Sequence, residues 1–406
     1  MTSIPIYNVN NNCATGSTGL HLARQMVVGG MADCVMVVGF EKMSPGSMKS
    51  YYADRESPIG TFNGMVMETK GITTGPMAAQ WFGNAGREYM EKSEASKSCP
   101  LDLKVRLLIY GDRYGAKAED FAEIARVSHS HSQRNPYSQF NDVYTLDQVL
   151  ASPTMHFPLT KLQCCPTSDG GAAAIIVSQA FLDARPHLKS QAVLIAGQCL
   201  ATDAPSAFDR SAINLMGHEM TKVAAQTAFA EANVQAKDIK VCELHDCFSA
   251  NEMIVIDALG LSEPGKGHEM VQKGDITYGG HCVINPSGGL ISKGHPLGAT
   301  GIAQCCELVW QLRGWANNRL VNGVSAALQH NLGLGGAVVV TVYKRADGSV
   351  NEAVGDEVVK EVTGLGYNPA VEARGFSQTQ AESVRSRTRG SEWALGETGR
   401  RVLARF

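Results

Sequence analysis

The segment Asn285–Gly301 constrains the fold of this chain more than any other stretch. It contains five glycines and two prolines, and one histidine, His295, lies between Gly294 and Pro296. Glycine allows the backbone to approach a ligand or another loop closely, and proline fixes the turn that orients the imidazole. A helical pattern follows at residues 299–313, so we predict a histidine at a helix N-terminus, where a thiolate or an oxyanion is stabilised. A structural histidine in a glycine-rich loop is the alternative.

Cys13 is the first candidate partner for His295. It follows a β-rich run (residues 4–10) that ends in an asparagine triplet, and it precedes a small-residue helix predicted over residues 16–28. A cysteine at such a junction lies at the positive end of the helix dipole, which lowers the pKa of its thiol. Backbone N–H groups of the same turn could bind an oxyanion. The pattern predicts a nucleophile, with a buried inert cysteine as the alternative.

Residues 241–249 form a second strand-to-helix segment, which contains His245 and Cys247. These two side chains project to one side of an extended backbone because they are two residues apart. Together with Cys242 they could form a metal site, but zinc sites usually show paired close spacings and the sequence has no C-x2-C. We therefore predict acid/base chemistry here and no metal site.

A third glycine-rich segment, residues 324–336, leads into an apolar strand predicted over residues 337–343. Its glycines, Gly333, Gly335 and Gly336, can bring backbone amides close to a reacting centre. A tight β-hairpin without any catalytic part is an equally good interpretation of the spacing.

Together these segments resemble the catalytic loops of thiolases. Asn285–Gly301 is similar to their Gly-His-Pro loop, and Asn12-Cys13-Ala-Thr-Gly-Ser is similar to their nucleophile loop. His245-Asp-Cys-Phe248 stands where ordinary thiolases have Asn-Glu-Ala-Phe, and His330-Asn-Leu-Gly-Leu-Gly-Gly336 stands where they have Cys-x-Gly-Gly-Gly. Both replacements resemble the sterol carrier protein X branch of the family. The similarity extends over about residues 1–345.

The resemblance implies a role for each candidate side chain. Cys13 would accept the acyl group as a thioester, and His295 would activate Cys13 and face the substrate thioester oxygen. Cys247 would be the second catalytic cysteine, which protonates the leaving enolate or deprotonates the incoming thiol. His245 would help to bind an enolate oxygen.

The resemblance also implies a second oxyanion hole, formed by the amide of Cys13 and a backbone amide near Leu332 or Gly333. The implied reaction is CoA-dependent thiolysis of straight- or methyl-branched 3-oxoacyl-CoA in β-oxidation, including sterol side-chain intermediates. Coenzyme A would be a co-substrate, and no cofactor would be bound. Such a cleavage needs a soft nucleophile, an oxyanion site for each carbonyl and a proton shuttle. The alternatives are acyl-CoA or partner binding without turnover, and another condensing enzyme of this fold, which the His245 motif argues against.

Alternating strand-like and helix-like runs predict an α/β fold. The resemblance implies two similar βαβαβαββ halves in α/β/α/β/α layers, over residues 1–185 and 190–345, with a loop domain at about 44–160 that covers CoA and the acyl chain. The predicted strands are 4–10, 34–39, 172–178, 192–198, 239–244, 324–329 and 337–343, and the predicted helices are 16–28, 219–233, 250–259 and 299–313.

Three segments depart from the family pattern. Only twelve residues precede Cys13, where thiolases have two further strand–helix steps, so we expect an incomplete N-terminal half and a weakly active or poorly soluble chain. Residues 93–113 are interpreted as an insertion. Residues 346–406 are interpreted as a mostly flexible tail with one helix near residues 378–389.

Composition limits the class of protein. Hydrophobic residues make up 44% and charged residues 18%, which is enough for a large core, and the net charge of −3 predicts no nucleic-acid partner. No apolar run approaches the ~20 residues of a membrane helix. Eleven cysteines without framework spacing are typical of a reducing compartment. The resemblance implies a peroxisomal homodimer, with cytoplasm or mitochondria as alternatives; Ala404-Arg-Phe406 matches a peroxisomal address except that Phe replaces Leu.

Overall fold

The computed structural model describes residues 4–44, 54–57, 59–91, 115–375 and 377–386. Contacts divide the chain into two units, one of residues 9–371 and one of residues 1–8 with 372–406. All of the predicted site residues belong to the larger unit. Among the described residues, no helix combines the length and the apolar character needed to span a bilayer.

The N-terminal half of the larger unit contains a two-stranded antiparallel sheet, in which strands β1 and β4 pair from Cys34–Val177 to Glu41–Gly170. A short hairpin of β2 and β3 lies in the region predicted as a loop domain. The elements, in chain order, are α1 (Thr15–Val28), β1 (Cys34–Glu41), α2 (Gly60–Lys70), α3 (Met77–Glu91), α4 (Ala118–Ser132), α5 (Leu146–Leu150), β2 (Thr154–His156), β3 (Leu159–Thr160), β4 (Gly170–Val177) and α6 (Gln179–Asp183).

The strand predicted over residues 4–10 is not formed, and this prediction was wrong. Its apolar side chains are exposed, with Ile6 at 79% and Tyr7 at 58% of full exposure. Alternating apolar residues form a strand only where neighbouring strands satisfy the backbone and a core accepts the side chains.

The C-terminal half contains a five-stranded mixed sheet in the order β5-β9-β8-β6-β7. Strand β6 runs parallel to β7 and β8, whereas β9 is antiparallel to β5 and β8. The elements are β5 (Val193–Ala201), α7 (Ala212–Leu215), α8 (His218–Ala232), β6 (Val241–Glu243), α9 (Ser249–Ala258), α10 (Gly267–Gln272), β7 (Val283–Ile284), α11 (Thr300–Arg313), β8 (Ala327–Gly333) and β9 (Ala337–Arg345).

Strand β8 begins later than the sequence predicted. The strand predicted over residues 324–329 begins three residues later and continues to Gly333. The Val324 N–H donates to Asn351 Oδ1 at 2.7 Å, so it is held outside the ladder. Pairing with β9 then starts at Ala327 opposite Tyr343.

The two sheets enclose a middle layer of two helices. α1 contacts β1 and β4 on one side and β5 and β9 on the other, and α11 contacts β4 and β8 in the same way. Leu20 of α1 and Ile302 and Leu308 of α11 belong to the apolar cluster between the sheets, and all three are fully buried. α8 covers the opposite face of the large sheet through contacts with β5 and β9. This is the layered α/β arrangement that the sequence predicted.

The described part of the predicted loop domain shares one core with the C-terminal half. Phe82 of α3 stacks on Phe248 at a centroid distance of 4.8 Å. Phe121 of α4 and Ile254 of α9 belong to the same buried cluster. Because Phe248 follows Cys247 directly, this packing fixes the start of α9 and the turn before it.

The first part of the predicted flexible tail is folded, which corrects that interpretation. α12 (Asp356–Thr363) buries Val359 completely against Trp315 and Ala370. Asn351 Nδ2 also donates to Gln311 O at 2.8 Å. The polar composition of residues 346–371 gave no indication of this short amphipathic helix. In the other unit, α13 (Gln378–Ser386) begins where the helix was predicted to begin. The last residues of that prediction, 387–389, lie outside the described residues, as do residues 93–113 and the rest of the chain beyond residue 386.

Candidate active site

The N-termini of α1 and α11 meet at the centre of the middle layer. An added Cβ on Gly301 would overlap the Ser17 hydroxyl, so a side chain at this position would force the two helices apart. Gln329 Nε2 from β8 donates to Ser17 Oγ at 3.0 Å and ties the crossing to the large sheet. This crossing brings Cys13, just before α1, next to His295, just before α11. Two positive helix ends therefore point at the same site.

Three of the predicted catalytic side chains lie together at this crossing. The Sγ of Cys13, a ring nitrogen of His245 and a ring nitrogen of His295 are all within 4.8 Å of one another. The two imidazoles are nearly perpendicular, at an interplanar angle of 88° and a centroid distance of 5.0 Å. Both histidines are buried, whereas Cys13 is half-buried.

His295 is held from both sides of its loop. Its backbone N–H donates to Ser168 Oγ at 2.9 Å, and its Nδ1 lies 2.7 Å from Thr300 Oγ1. Thr300 Oγ1 also lies 3.0 Å from Pro296 O, and donation of its single proton to that carbonyl assigns the other bond to an Nδ1–H donor. Nε2 then carries the lone pair, and it has no hydrogen-bond partner among the described residues. This is the tautomer that a general base requires.

The electrostatic state of the pair differs from the sequence prediction. Burial raises the pKa of Cys13 to about 12, and the carboxylate of Glu41 adds to this effect, while the hydrogen bond from the backbone N–H of Cys13 opposes it. Burial, followed by the charge of Lys293, lowers the pKa of His295 to about 3. The sequence predicted a lowered pKa for Cys13, and this prediction was wrong: the pKa is raised, with desolvation as the largest cause. At neutral pH the resting pair is a neutral thiol beside a neutral imidazole.

His245 is supported by the end of β8. Asn331 Nδ2 lies 3.1 Å from His245 Nδ1, and His330 Nδ1 accepts the His245 backbone N–H at 3.4 Å. The other nitrogen of His330, Nε2, lies 3.1 Å from Thr221 Oγ1. Burial lowers the pKa of His330 to about 3. Burial also lowers the pKa of His245 well below its ordinary range, and the neighbouring His295 and His330 add to this effect. A neutral His245 with its Nδ1 occupied can donate a hydrogen bond from Nε2.

Cys247 occupies the turn between β6 and α9 and is 5% exposed. Burial raises the pKa of its thiol well above the ordinary range, and the nearby Cys165 and Cys13 thiols and the Asp246 carboxylate add to the rise. The backbone N–H of Cys165 donates to Cys247 O at 2.9 Å. Cys247 is therefore a protonated thiol, the state from which a thiol can donate a proton. Sequence reasoning missed Cys165; the vicinal Cys164-Cys165 pair was the available signal.

The loop of Leu332 and Gly333 lies against the nucleophile loop. Asn12 Nδ2 donates to Leu334 O at 3.1 Å. An added Cβ on Gly333 would overlap Asn11 O and would lie 2.9 Å from Ala14 N, so only glycine permits this approach. Leu332 is 1% exposed. The loop thus determines the position of the nucleophile turn.

Two openings flank the site. A groove of about 1180 Å³ borders Gly294, Pro296 and Thr300 beside the histidine loop. A narrow apolar cleft of about 10 Å³ is lined by Phe62, Phe208 and several residues of the loop that contains Gly333. The cleft has room for about one water molecule, so an acyl chain would need to displace its walls.

These features are those of the thiolase family, to which this chain belongs. Residues 1–180 match the thiolase N-terminal domain, and residues 205–345 match the thiolase C-terminal domain-like family. The chain is 46% identical to non-specific lipid-transfer protein-like 2 of Caenorhabditis elegans, over 85% of this chain and 79% of that protein. It is 32% identical to the acetyl-CoA acetyltransferase of Methanothermobacter thermautotrophicus, over 85% of this chain and 81% of that protein.

Within this family the chain is similar to sterol carrier protein 2, which confirms the predicted branch. It is 52% identical to the Homo sapiens protein over 85% of this chain, and it spans 59% of the length of that relative. Among solved structures, an Ltp2-ChsH2(DUF35) aldolase matches with a TM-score of 0.65 and 22% identity, covering 82% of this chain and 78% of its own. Human mitochondrial 3-ketoacyl-CoA thiolase matches with a TM-score of 0.53 and 17% identity, covering 83% and 78%. These likenesses establish the thiolase fold.

Proposed function

We propose that this chain is a 3-oxoacyl-CoA thiolase that works through an acyl-enzyme on Cys13. The observation that carries the proposal is the Cys13–His245–His295 group, whose reactive atoms lie within 4.8 Å of one another. The unpartnered Nε2 of His295 can act as the base. Membership of the thiolase family supports an acyltransferase reaction.

The first half-reaction forms the thioester. His295 Nε2 takes the proton of the Cys13 thiol while Sγ attacks the 3-oxo carbon, so no thiolate needs to exist beforehand. The tetrahedral oxyanion then collapses, and the bond between C2 and C3 breaks. Its electron pair passes to the C2 fragment as the enolate of an acyl-CoA, and Cys247 protonates C2. The acyl-CoA product leaves, and Cys13 remains acylated.

The second half-reaction returns the protons. The thiolate of Cys247 takes the proton of the incoming CoA thiol, whose sulfur attacks the Cys13 thioester. The bond between Cys13 Sγ and the acyl carbon breaks, and the sulfur regains its proton from His295. Both cysteines and the histidine end in their starting states.

Preorganised donors would stabilise the two oxyanions. The Nε2–H of His245 faces the same space as His295 and suits the enolate oxygen. The amide of Cys13, with an amide near Leu332 or Gly333, suits the oxygen of the tetrahedral intermediate. These donors belong to buried, packed segments, so they need little reorganisation during the reaction.

The substrate class rests on the relatives. We propose straight- and methyl-branched 3-oxoacyl chains, including sterol side chains, as substrates and peroxisomes as the compartment; the support is similarity to sterol carrier protein 2, whose name denotes a sterol ligand. A homodimer is supported by an exposed apolar face on β1, where Met36, Val38 and Phe40 are 65%, 56% and 73% exposed. Unpartnered apolar faces of this kind mark contact surfaces, and sedimentation tests the assembly.

The direct test is a thiolysis assay that follows the loss of 3-oxoacyl-CoA absorbance on addition of CoA. We expect activity in the unmodified chain, loss of activity in Cys13→Ala and His295→Asn, and retention in Cys34→Ala. Cys34 begins β1, whereas Glu41, which accepts a hydrogen bond from the Gly298 N–H of the histidine loop, ends it. Tight binding of acyl-CoA with no turnover in the unmodified chain would instead favour a binding protein.

A further inference from the structure

The side chains at the helix crossing have a second chemical capacity. Cys13, His245 and His295 offer one sulfur and two imidazole nitrogens within 4.8 Å of one another. His295 is 5% exposed, and its Nε2 is buried without a partner in the described part of the chain. A buried lone pair without a hydrogen-bond partner is an unsatisfied polar group, and a cation would satisfy it.

The spacing suits one small ion. Zinc binds sulfur at about 2.3 Å and imidazole nitrogen at about 2.0–2.1 Å, so donors at the corners of a tetrahedron are roughly 3.3–3.7 Å apart. Movements of about an ångström would bring the three donors to this geometry from their present limit of 4.8 Å. Three protein donors leave a fourth position for water, which is the pattern of an open site.

Each imidazole has an outer hydrogen-bond partner of the kind that orients a metal ligand. Thr300 Oγ1 lies 2.7 Å from His295 Nδ1. The amide of Asn331 lies 3.1 Å from His245 Nδ1, and its Oδ1 is buried with no partner among the described residues. Rotating this amide by half a turn would present the oxygen to an Nδ1–H and leave the lone pair on Nε2. Such contacts fix the tautomer and the direction of a ligating histidine.

We propose that Cys13, His245 and His295 form a binding site for a single zinc-class divalent cation, which blocks acylation while it is bound. Binding forms one metal–sulfur and two metal–nitrogen bonds and releases the thiol proton of Cys13 to solvent. Sulfur and imidazole donors favour Zn²⁺ or Cd²⁺ over Mg²⁺ and Ca²⁺, which prefer oxygen. The cation would therefore act as a reversible inhibitor and would compete directly with the acyl group for the sulfur.

The test is a titration of chelator-treated protein with Cd²⁺, followed through the ultraviolet thiolate-to-cadmium band. Cys34→Ser serves as the background, because this exposed thiol could bind the probe on its own. We expect the Cys34→Ser chain to bind one equivalent of Cd²⁺. Adding Cys13→Ser should abolish the band, and adding either His245→Asn or His295→Asn should weaken Cd²⁺ binding at least tenfold. The proposal would be overturned by a band that persists in the Cys13→Ser variant, or by a cadmium affinity that neither His245→Asn nor His295→Asn reduces.

A second measurement does not depend on the folding of any variant. Unmodified protein is treated with iodoacetamide with and without excess Zn²⁺, with Mg²⁺ as the control, and alkylated peptides are mapped. We expect Zn²⁺ alone to protect Cys13, and to protect it far more than Cys34. Equal alkylation of Cys13 with and without Zn²⁺ refutes the site. Neither measurement uses substrate, so failure of the thiolase reaction would leave both results interpretable.

Discussion

Thr300→Val tests whether the hydrogen bond to Nδ1 sets the basicity of His295. Valine keeps the shape of threonine and removes only the hydroxyl that lies 2.7 Å from the ring. Thr300 is 1% exposed and His295 is 5% exposed, so water has little access to the position that the hydroxyl leaves. A buried donor left without a partner costs about 1–3 kcal/mol. The ring can avoid this cost by moving its proton to Nε2, which removes the lone pair that faces Cys13.

Acylation slows whether Nδ1–H stays without an acceptor or the proton moves to Nε2. At about 1.4 kcal/mol for each factor of ten, the expected loss in acylation rate is about 5- to 150-fold. The assay is a single-turnover acetylation by acetyl-CoA, quenched at intervals and measured by intact mass. Thr300→Ser is the matched control, since it keeps the hydroxyl and should acylate at close to the original rate. If Thr300→Val acylates as fast as the unmodified chain and melts at the same temperature, Thr300 does not control the tautomer.

Three further predictions concern the neighbouring groups. Cys247→Ala should still acylate at Cys13 but turn over about 10²–10⁴-fold more slowly, since only the proton shuttle is lost; unchanged turnover would move that role to water. Burial raises the pKa of Cys13 to about 12, so its thiolate fraction, and with it the rate of alkylation by iodoacetamide, should rise about tenfold per pH unit between roughly pH 6 and 9. A rate that is constant over this range would reveal a preformed thiolate. Gly333→Ala should displace the nucleophile turn, because its Cβ would overlap Asn11 O, and should slow acylation about 100-fold; a normal rate would show that the loop yields without moving Cys13.

The local sequence was sufficient to identify the loops that carry Cys13 and His295. Glycine, proline and helix-start patterns act over a few residues, so they can be recognised without knowing the rest of the fold. Helices α1, α8, α9 and α11 and the strand that follows Gly336 were predicted on the same basis, and their boundaries agree to within about two residues.

Contacts between distant segments could not be predicted in this way. Thr300 and Asn331 contact the two imidazoles only because α11 and β8 bring them there in the folded chain. Cys165 lies beside Cys247 because a backbone hydrogen bond joins their segments. The same limitation explains the wrong pKa direction for Cys13: the helix dipole can be inferred from sequence, whereas the degree of desolvation depends on the complete packing.

We propose that Cys13 alone carries the acyl group, and one measurement tests this directly. The protein is exposed briefly to acetyl-CoA, denatured in acid to preserve thioesters, digested and mapped by mass spectrometry. We expect a single acetyl thioester on the peptide that contains Cys13, and none on that peptide in His295→Asn. A thioester on Cys247, Cys165 or Cys34 instead would contradict it.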